Sequence, residues 1–347
     1  MKKTMSLLVL ICIATSLTAC HKEVEEVATV TATEVKIQQP QKLIISAENI
    51  SELKEVRSLN TKESVTCKWS SDGKTFWLVG LQEAKLYDSA TFGEVAGYDV
   101  SEYAALYDVS SDGSTLAYSL DGAEIILYDV LKQDEIRIIQ PDFYYHYASF
   151  SPDGKFLAIM SLDEIQANIW DVSTGKNVTT LEGFMTAAPV YSGRIAEDGK
   201  TFLWISRGTV QPMNIESKTM GPEFSHEDFV TSIALSPDGK ILATTAAGTV
   251  NGEFTPLVKL WDPASGEELG YFTNADPFTS LTLSPNGSIL AAGTKKTVII
   301  WDAKNHNQLT TLLAYDEYIN SLAFSPDGTQ LVSCGTEGTV KIWKIVK

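Results

Sequence analysis

The chain has 347 residues, 44% hydrophobic and 20% charged, which is ordinary for a folded protein and supplies enough apolar side chains for a sizeable core. Its formal net charge of −17 argues against a nucleic-acid partner, because no basic stripe exists to meet phosphates.

The first stretch is an address. Lys2 and Lys3 precede an apolar run, Met5–Leu17, that is too short to span a bilayer comfortably and reads as a signal peptide. Leu17-Thr18-Ala19-Cys20 follows and resembles the lipobox of bacterial lipoproteins. The resemblance implies removal of residues 1–19 and acylation of Cys20. With His21 next, where Asp would signal retention in the inner membrane, it implies an anchor in the outer membrane; the periplasmic side is expected, and exposure at the cell surface stays open. Cleavage removes two lysines and no acid, so the remaining body is more acidic still. Residues 20–42 lack aromatics and any helical stripe and read as a flexible tether; about 22 extended residues reach roughly 70 Å. Beyond Cys12 and Cys20 only Cys67 and Cys334 remain, both in predicted strands. They are read either as two buried thiols or as a disulfide between neighbouring repeats in an oxidising compartment.

Residues 43–347 are periodic. Polar turns stand at Asp72-Gly73, Asp112-Gly113, Asp153-Gly154, Asp198-Gly199, Asp238-Gly239, Asn286-Gly287 and Asp327-Gly328, a period of about 40 residues. Alternating apolar runs flank each turn, as in Ser321-Leu322-Ala323-Phe324, so each unit opens with a tight antiparallel hairpin. A third run closes on an aromatic in all but one unit: Tyr87, Tyr128, Trp170, Trp261, Trp301 and Trp343, with Met213 in the degenerate fourth. A fourth strand opens near Gly266–Leu269 in the fifth unit. Four strands per period describe a propeller blade.

This series resembles the WD-repeat β-propellers, and more narrowly their lipid-anchored bacterial members. The resemblance implies an all-β, seven-bladed propeller in which each aromatic fills the wedge between blades. The seventh unit stops after its third strand, and the family's solution is an N-terminal strand, here Leu53–Leu59, led in by a short helical turn over Ser46–Leu53. Two departures stand out. Only His226 occupies the register of the family's histidine, and the turn Asp between second and third strands is mostly absent, so the family's hydrogen-bond network is expected to be largely missing.

No motif for catalysis or for cofactor binding occurs: there is no G-x-S-x-G, no Walker loop, no H-E-x-x-H and no C-x-x-C. Neither an enzyme nor a cofactor or metal site is expected. Four histidines (His21, His146, His226, His306) are scattered without ligand spacing. Nine residues before each turn Asp or Asn, however, stand Glu63, Tyr103, Tyr144, Pro189, Phe229, Pro277 and Tyr318, four of them aromatic. Carboxylates lie just ahead at Glu102, Asp142, Asp228, Asp276, Asp316 and Glu317. The resemblance puts these connections on the narrow face around the central channel, where they suit a protein partner with apolar and cationic groups. The competing reading packs the rings between blades. In the fifth unit 23 residues separate Asp238 from Trp261, about seven more than elsewhere, and Gly248–Pro256 is expected to form a longer loop tipped by Asn251-Gly252, carrying Phe254 to the same face. The function expected is a lipid-anchored protein-interaction scaffold of the cell envelope. The alternative is an envelope enzyme or small-ligand binder using the channel, and fold analogy alone suggests a subunit of an outer-membrane assembly.

Overall fold

A computed structural model describes residues 43–63, 65–99, 105–161, 166–182, 190–206, 208–313 and 315–347. The expected signal peptide, Cys20 and the expected tether fall on residues outside the described ones, as do Glu102, Tyr103 and Pro189. The described chain forms seven four-stranded antiparallel sheets. Its helical content is one 3-10 turn, Ile50–Glu52, at the end of the predicted lead-in.

Each blade starts from the polar turn. In the first, Ser70 Oγ donates to Asp72 Oδ1 (2.9 Å) and accepts from Thr75 N (3.0 Å), while Gly73 takes the left-handed conformation the turn requires. The same Ser–Asp or Ser–Asn pair recurs at Ser110, Ser151, Ser236, Ser284 and Ser325. The fourth blade has Ala196 at this place, and Thr201 Oγ1 donates to Asp198 Oδ2 instead (2.7 Å). Local side-chain chemistry therefore sets each hairpin without help from its neighbours.

The first strands of adjacent blades lie against one another, which places them innermost. Side chains stitch this ring. Lys68 Nζ meets both carboxylate oxygens of Asp108 (2.9 Å), and Asp108 Oδ2 accepts from Phe150 N (2.8 Å), joining three blades. Arg194 donates to Ile233 O (3.1 Å), Ser232 Oγ accepts from Leu281 N (3.1 Å), and Ser321 Oγ accepts from Cys67 N (3.1 Å). Outside this ring the core is a series of wedges, one between each pair of successive blades. The third-strand aromatic faces the preceding blade: Trp301 packs on Phe272 (4.9 Å between centroids), and Trp261 on Phe224 (5.4 Å). Each fills a wedge that smaller residues would leave hollow.

The N-terminal strand Leu53–Asn60 pairs antiparallel with Thr339–Ile345 and completes the seventh blade. It copies the other blades in detail. In six blades the fourth strand carries a one-residue bulge opposite the third-strand aromatic, which leaves out Val95, Ile136, Val178, Leu269 and Leu309 in turn, and Val56 in the N-terminal strand. Such bulges sharpen twist and turn an outer edge away from further pairing. The closure is anchored before and after the strand, by Ile45 N on Gly328 O (2.9 Å) and Val346 N on Glu52 O (3.0 Å).

One expectation needs correcting. Gly248–Pro256 is not a loop but an extension of the hairpin. The second and third strands of blade 5, Leu242–Val250 and Glu253–Trp261, have nine residues each, against five to seven in the corresponding strands elsewhere. Pairing runs up to Val250 opposite Glu253. Asn251 and Gly252 both adopt positive φ (53° and 85°), the geometry of a two-residue turn that leaves every flanking residue in the ladder.

Candidate functional site: the face that carries the strand connections

Antiparallel pairing puts the connections between blades and the second-to-third strand turns at one end of the ring. The aromatics of that end point outward. Tyr144 is 67% exposed, Phe229 43% and Tyr318 40%, in blades 3, 5 and 7. The residue after each turns inward: Tyr145 and Ile319 are buried and Val230 is packed in a wedge. These three rings sit in the connections just ahead of the innermost strands and are exposed there rather than packed between blades. Pro277 is also exposed, and Glu63, half-buried, accepts from Gln82 N (3.0 Å).

Around these rings Asp142, Asp276, Asp316 and Glu317 are exposed and Asp228 is half-buried. Glu317 Oε2 accepts from Thr336 Oγ1 (3.2 Å). The face is not purely acidic: Lys295 Nζ lies 5.9 Å from the Tyr318 centroid. Tyr144 meets His146 edge to face (5.0 Å). The blade 5 hairpin adds Phe254, 62% exposed beside the Asn251-Gly252 tip.

Beneath this face lies a polar network that sequence reasoning found only in part. In blade 5, His226 Nε2 is 2.9 Å from Thr244 Oγ1, which accepts from Trp261 Nε1 (2.8 Å). The indole can only donate, and the hydroxyl still has a proton and a second lone pair with which to meet Nε2 of a neutral imidazole in either tautomer. Burial, and then the charge of Lys259, hold His226 down at about 4. The network was expected to be largely missing elsewhere, yet blade 7 rebuilds it without histidine. Tyr315 Oη lies 2.6 Å from Ser333 Oγ and from Ser333 O, and Trp343 Nε1 donates to Ser333 Oγ (2.8 Å). The signal was present: Tyr315 precedes Asp327 by twelve residues, as His226 precedes Asp238, and Ser333 and Thr244 both follow their turns by six.

The central channel offers less chemistry. On the innermost strands and just beyond them, Lys68 is tied to Asp108 and Arg194 to Glu197. Among the described residues no three His, Cys, Asp or Glu side chains gather as a metal site would need. Cys67 and Cys334 are free, buried and share the wedge between the last and first blades. Burial and the neighbouring Cys67 push the Cys334 thiol well up.

The model of the WD domain, G-beta repeat, matches residues 220–251, 266–302 and 306–344, which include every member of the two polar networks but Trp261. The nuclear distribution protein PAC1 of Arthroderma otae is 28% identical over 207 residues, 57% of this chain and 38% of that protein. The small ribosomal subunit protein RACK1y of Oryza sativa subsp. japonica is 33% identical over 127 residues, 35% of this chain and 36% of that protein. The chain thus spans well under half the length of these relatives. Three segments of the chain match the WD-repeat model, and they lie within a seven-bladed β-propeller.

Proposed function

We propose that the propeller is a protein-interaction scaffold that engages its partner through the face bearing Tyr144, Phe229 and Tyr318. The observation that carries this is the outward setting of three aromatics on alternate blades, each with a carboxylate within two residues before it. Buried aromatics at the centre of an interface, ringed by charge, are the usual sources of affinity between proteins, at about 2 kcal/mol or more each. Tyr103 and Glu102 hold the equivalent places in blade 2 and belong to the same proposal, as do Asp228, Glu317, Asn251 and Phe254. The names of the relatives, a nuclear distribution protein and a ribosomal subunit protein, fit work done in association with other macromolecules. The test is alanine at Tyr103, Tyr144, Phe229 and Tyr318 together, with the fold checked by circular dichroism. A partner crosslinked to the native protein should be lost, and its retention refutes the proposal.

We infer the working place from residues 2–21 alone: a lipid on Cys20 holds the propeller at the periplasmic side of a bacterial outer membrane. Cys20→Ser should move the protein from the membrane fraction to the soluble one. A variant that stays with the membrane removes the anchor from the account.

A further inference from the structure

Blade 5 differs from its neighbours at one end. Its central hairpin runs on past the level at which the outer strand of blade 4 stops, at Ser225, and the step between them is a cleft of about 230 Å³. Third-strand residues Leu257, Lys259 and Trp261 share one side by strand alternation, and Trp261 packs on Phe224 of blade 4, so Leu257 and Lys259 face the step. Tyr271 stands opposite Lys259 on the outer strand and is half exposed.

The cleft has a fixed wall. Thr249 N and Thr249 Oγ1 both donate to Glu227 Oε2 (3.0 and 2.8 Å), which braces the hairpin against the connection from blade 4. Gly248 keeps the space open: a Cβ there would stand 3.1 Å from Leu257 Cδ2 and 3.9 Å from Glu227 Cδ. The sole lysine or arginine of the lining, Lys259, is held by Glu268 (2.9 Å) with its ammonium 5.0 Å from the Trp261 centroid. Two carboxylates therefore face one ammonium, beside an apolar wall and an aromatic ring.

We propose that this cleft receives an arginine side chain of a protein partner, which deepens the reading of the face given above and rests on it. The stem lies along Leu257, the guanidinium meets the Glu227 and Glu268 carboxylates, and its plane stacks on Tyr271. Arginine suits the site better than lysine because a planar fork satisfies carboxylates side by side and stacks on a ring. The excess of negative charge over the whole chain favours the approach of a basic partner.

The test uses N-acetylarginine N-methylamide and its citrulline counterpart, which has the same shape without the charge. Titrated into the isotope-labelled protein and followed by the amide signals of Thr249, Val250 and Tyr271, the arginine probe should bind saturably in the millimolar range. Citrulline should bind roughly tenfold more weakly, and Glu227→Gln, which keeps an acceptor for Thr249, should weaken the arginine probe by roughly tenfold as well. Equal binding of the two probes, indifference to Glu227→Gln, or shifts elsewhere on the protein overturns the proposal. The four-alanine variant separates this result from the reading of the face. A bound arginine probe with the partner retained by that variant upholds the cleft and refutes the aromatic face. No probe binding with the partner lost does the reverse.

Discussion

His226 links stability to pH in a way that can be isolated. The imidazole is neutral in the folded protein, held at about 4 by burial and by Lys259, against an ordinary 6.5. Once unfolded it takes up a proton below its ordinary value. Its contribution is therefore fully present above pH 6.5, declines as the pH falls, and is exhausted below about 4. At about 1.4 kcal/mol per pH unit, this amounts to about 3 kcal/mol between pH 7 and pH 4. Protonation also makes Nε2 a donor toward Thr244 Oγ1, which already accepts from Trp261 Nε1. The carboxylates titrate over the same range, so the wild-type profile alone is ambiguous. Urea unfolding followed by tryptophan fluorescence, run on wild type and His226→Gln at pH 7, 6, 5 and 4, cancels them. The variant should be less stable at pH 7, and its deficit should shrink by about 3 kcal/mol on going to pH 4. A deficit that stays constant across that range refutes the reasoning, because it means that the imidazole is not held neutral by the fold.

Three further outcomes follow from the geometry. Tyr315→Phe removes the hydroxyl shared with Ser333 and should lower stability by about 1–3 kcal/mol in urea unfolding, since a buried partner is left unpaired. Asp108→Ala strands a half-buried Lys68 and the amide of Phe150, and should cost about 2 kcal/mol; a neutral result shows that the innermost ring does not need this link. Cys67 and Cys334 should resist iodoacetamide in the native protein at pH 8 and react in urea without reductant, as read by mass spectrometry of the labelled peptides. Failure to react in urea until a reductant is added would instead reveal a disulfide between them.

The ring was legible in the sequence because each hairpin is decided within a few residues. Ser70, Asp72 and Gly73 make their turn from their own side chains, and the pattern repeats at a phase that the eye can follow. The unpaired edge of the seventh blade was legible for a similar reason, as a missing fourth run. What escaped notice depends on closure. That Asp108 joins three blades, or that Cys67 meets Cys334, follows from bending the chain into a circle, and no local preference encodes it. The extra length of blade 5 suggests a loop, although Asn251-Gly252 flanked by Thr249, Val250 and Thr255 favours two continued strands. Tyr315 is hidden in the sequence because the resemblance points to histidine at that place, whereas the network needs only a polar atom at that distance.

The two-ended seventh blade also constrains the order in which the molecule can be made. Thr339–Ile345 is synthesised after every other strand of the ring, so Leu53–Asn60 must wait unpaired while six blades form. A waiting strand is a hazard, since a bare edge recruits other chains. This one is built to wait: its Lys54, Glu55, Arg57 and Ser58 are exposed even in the finished ring, and only Leu53 is buried. Joining the two ends is the most non-local step of assembly, so it should set the slow phase of refolding. Until it occurs, the thiols of Cys67 and Cys334, which meet in the wedge between the last and first blades, remain open to solvent. Their protection from a thiol reagent during refolding is therefore a clock for the closing of the circle.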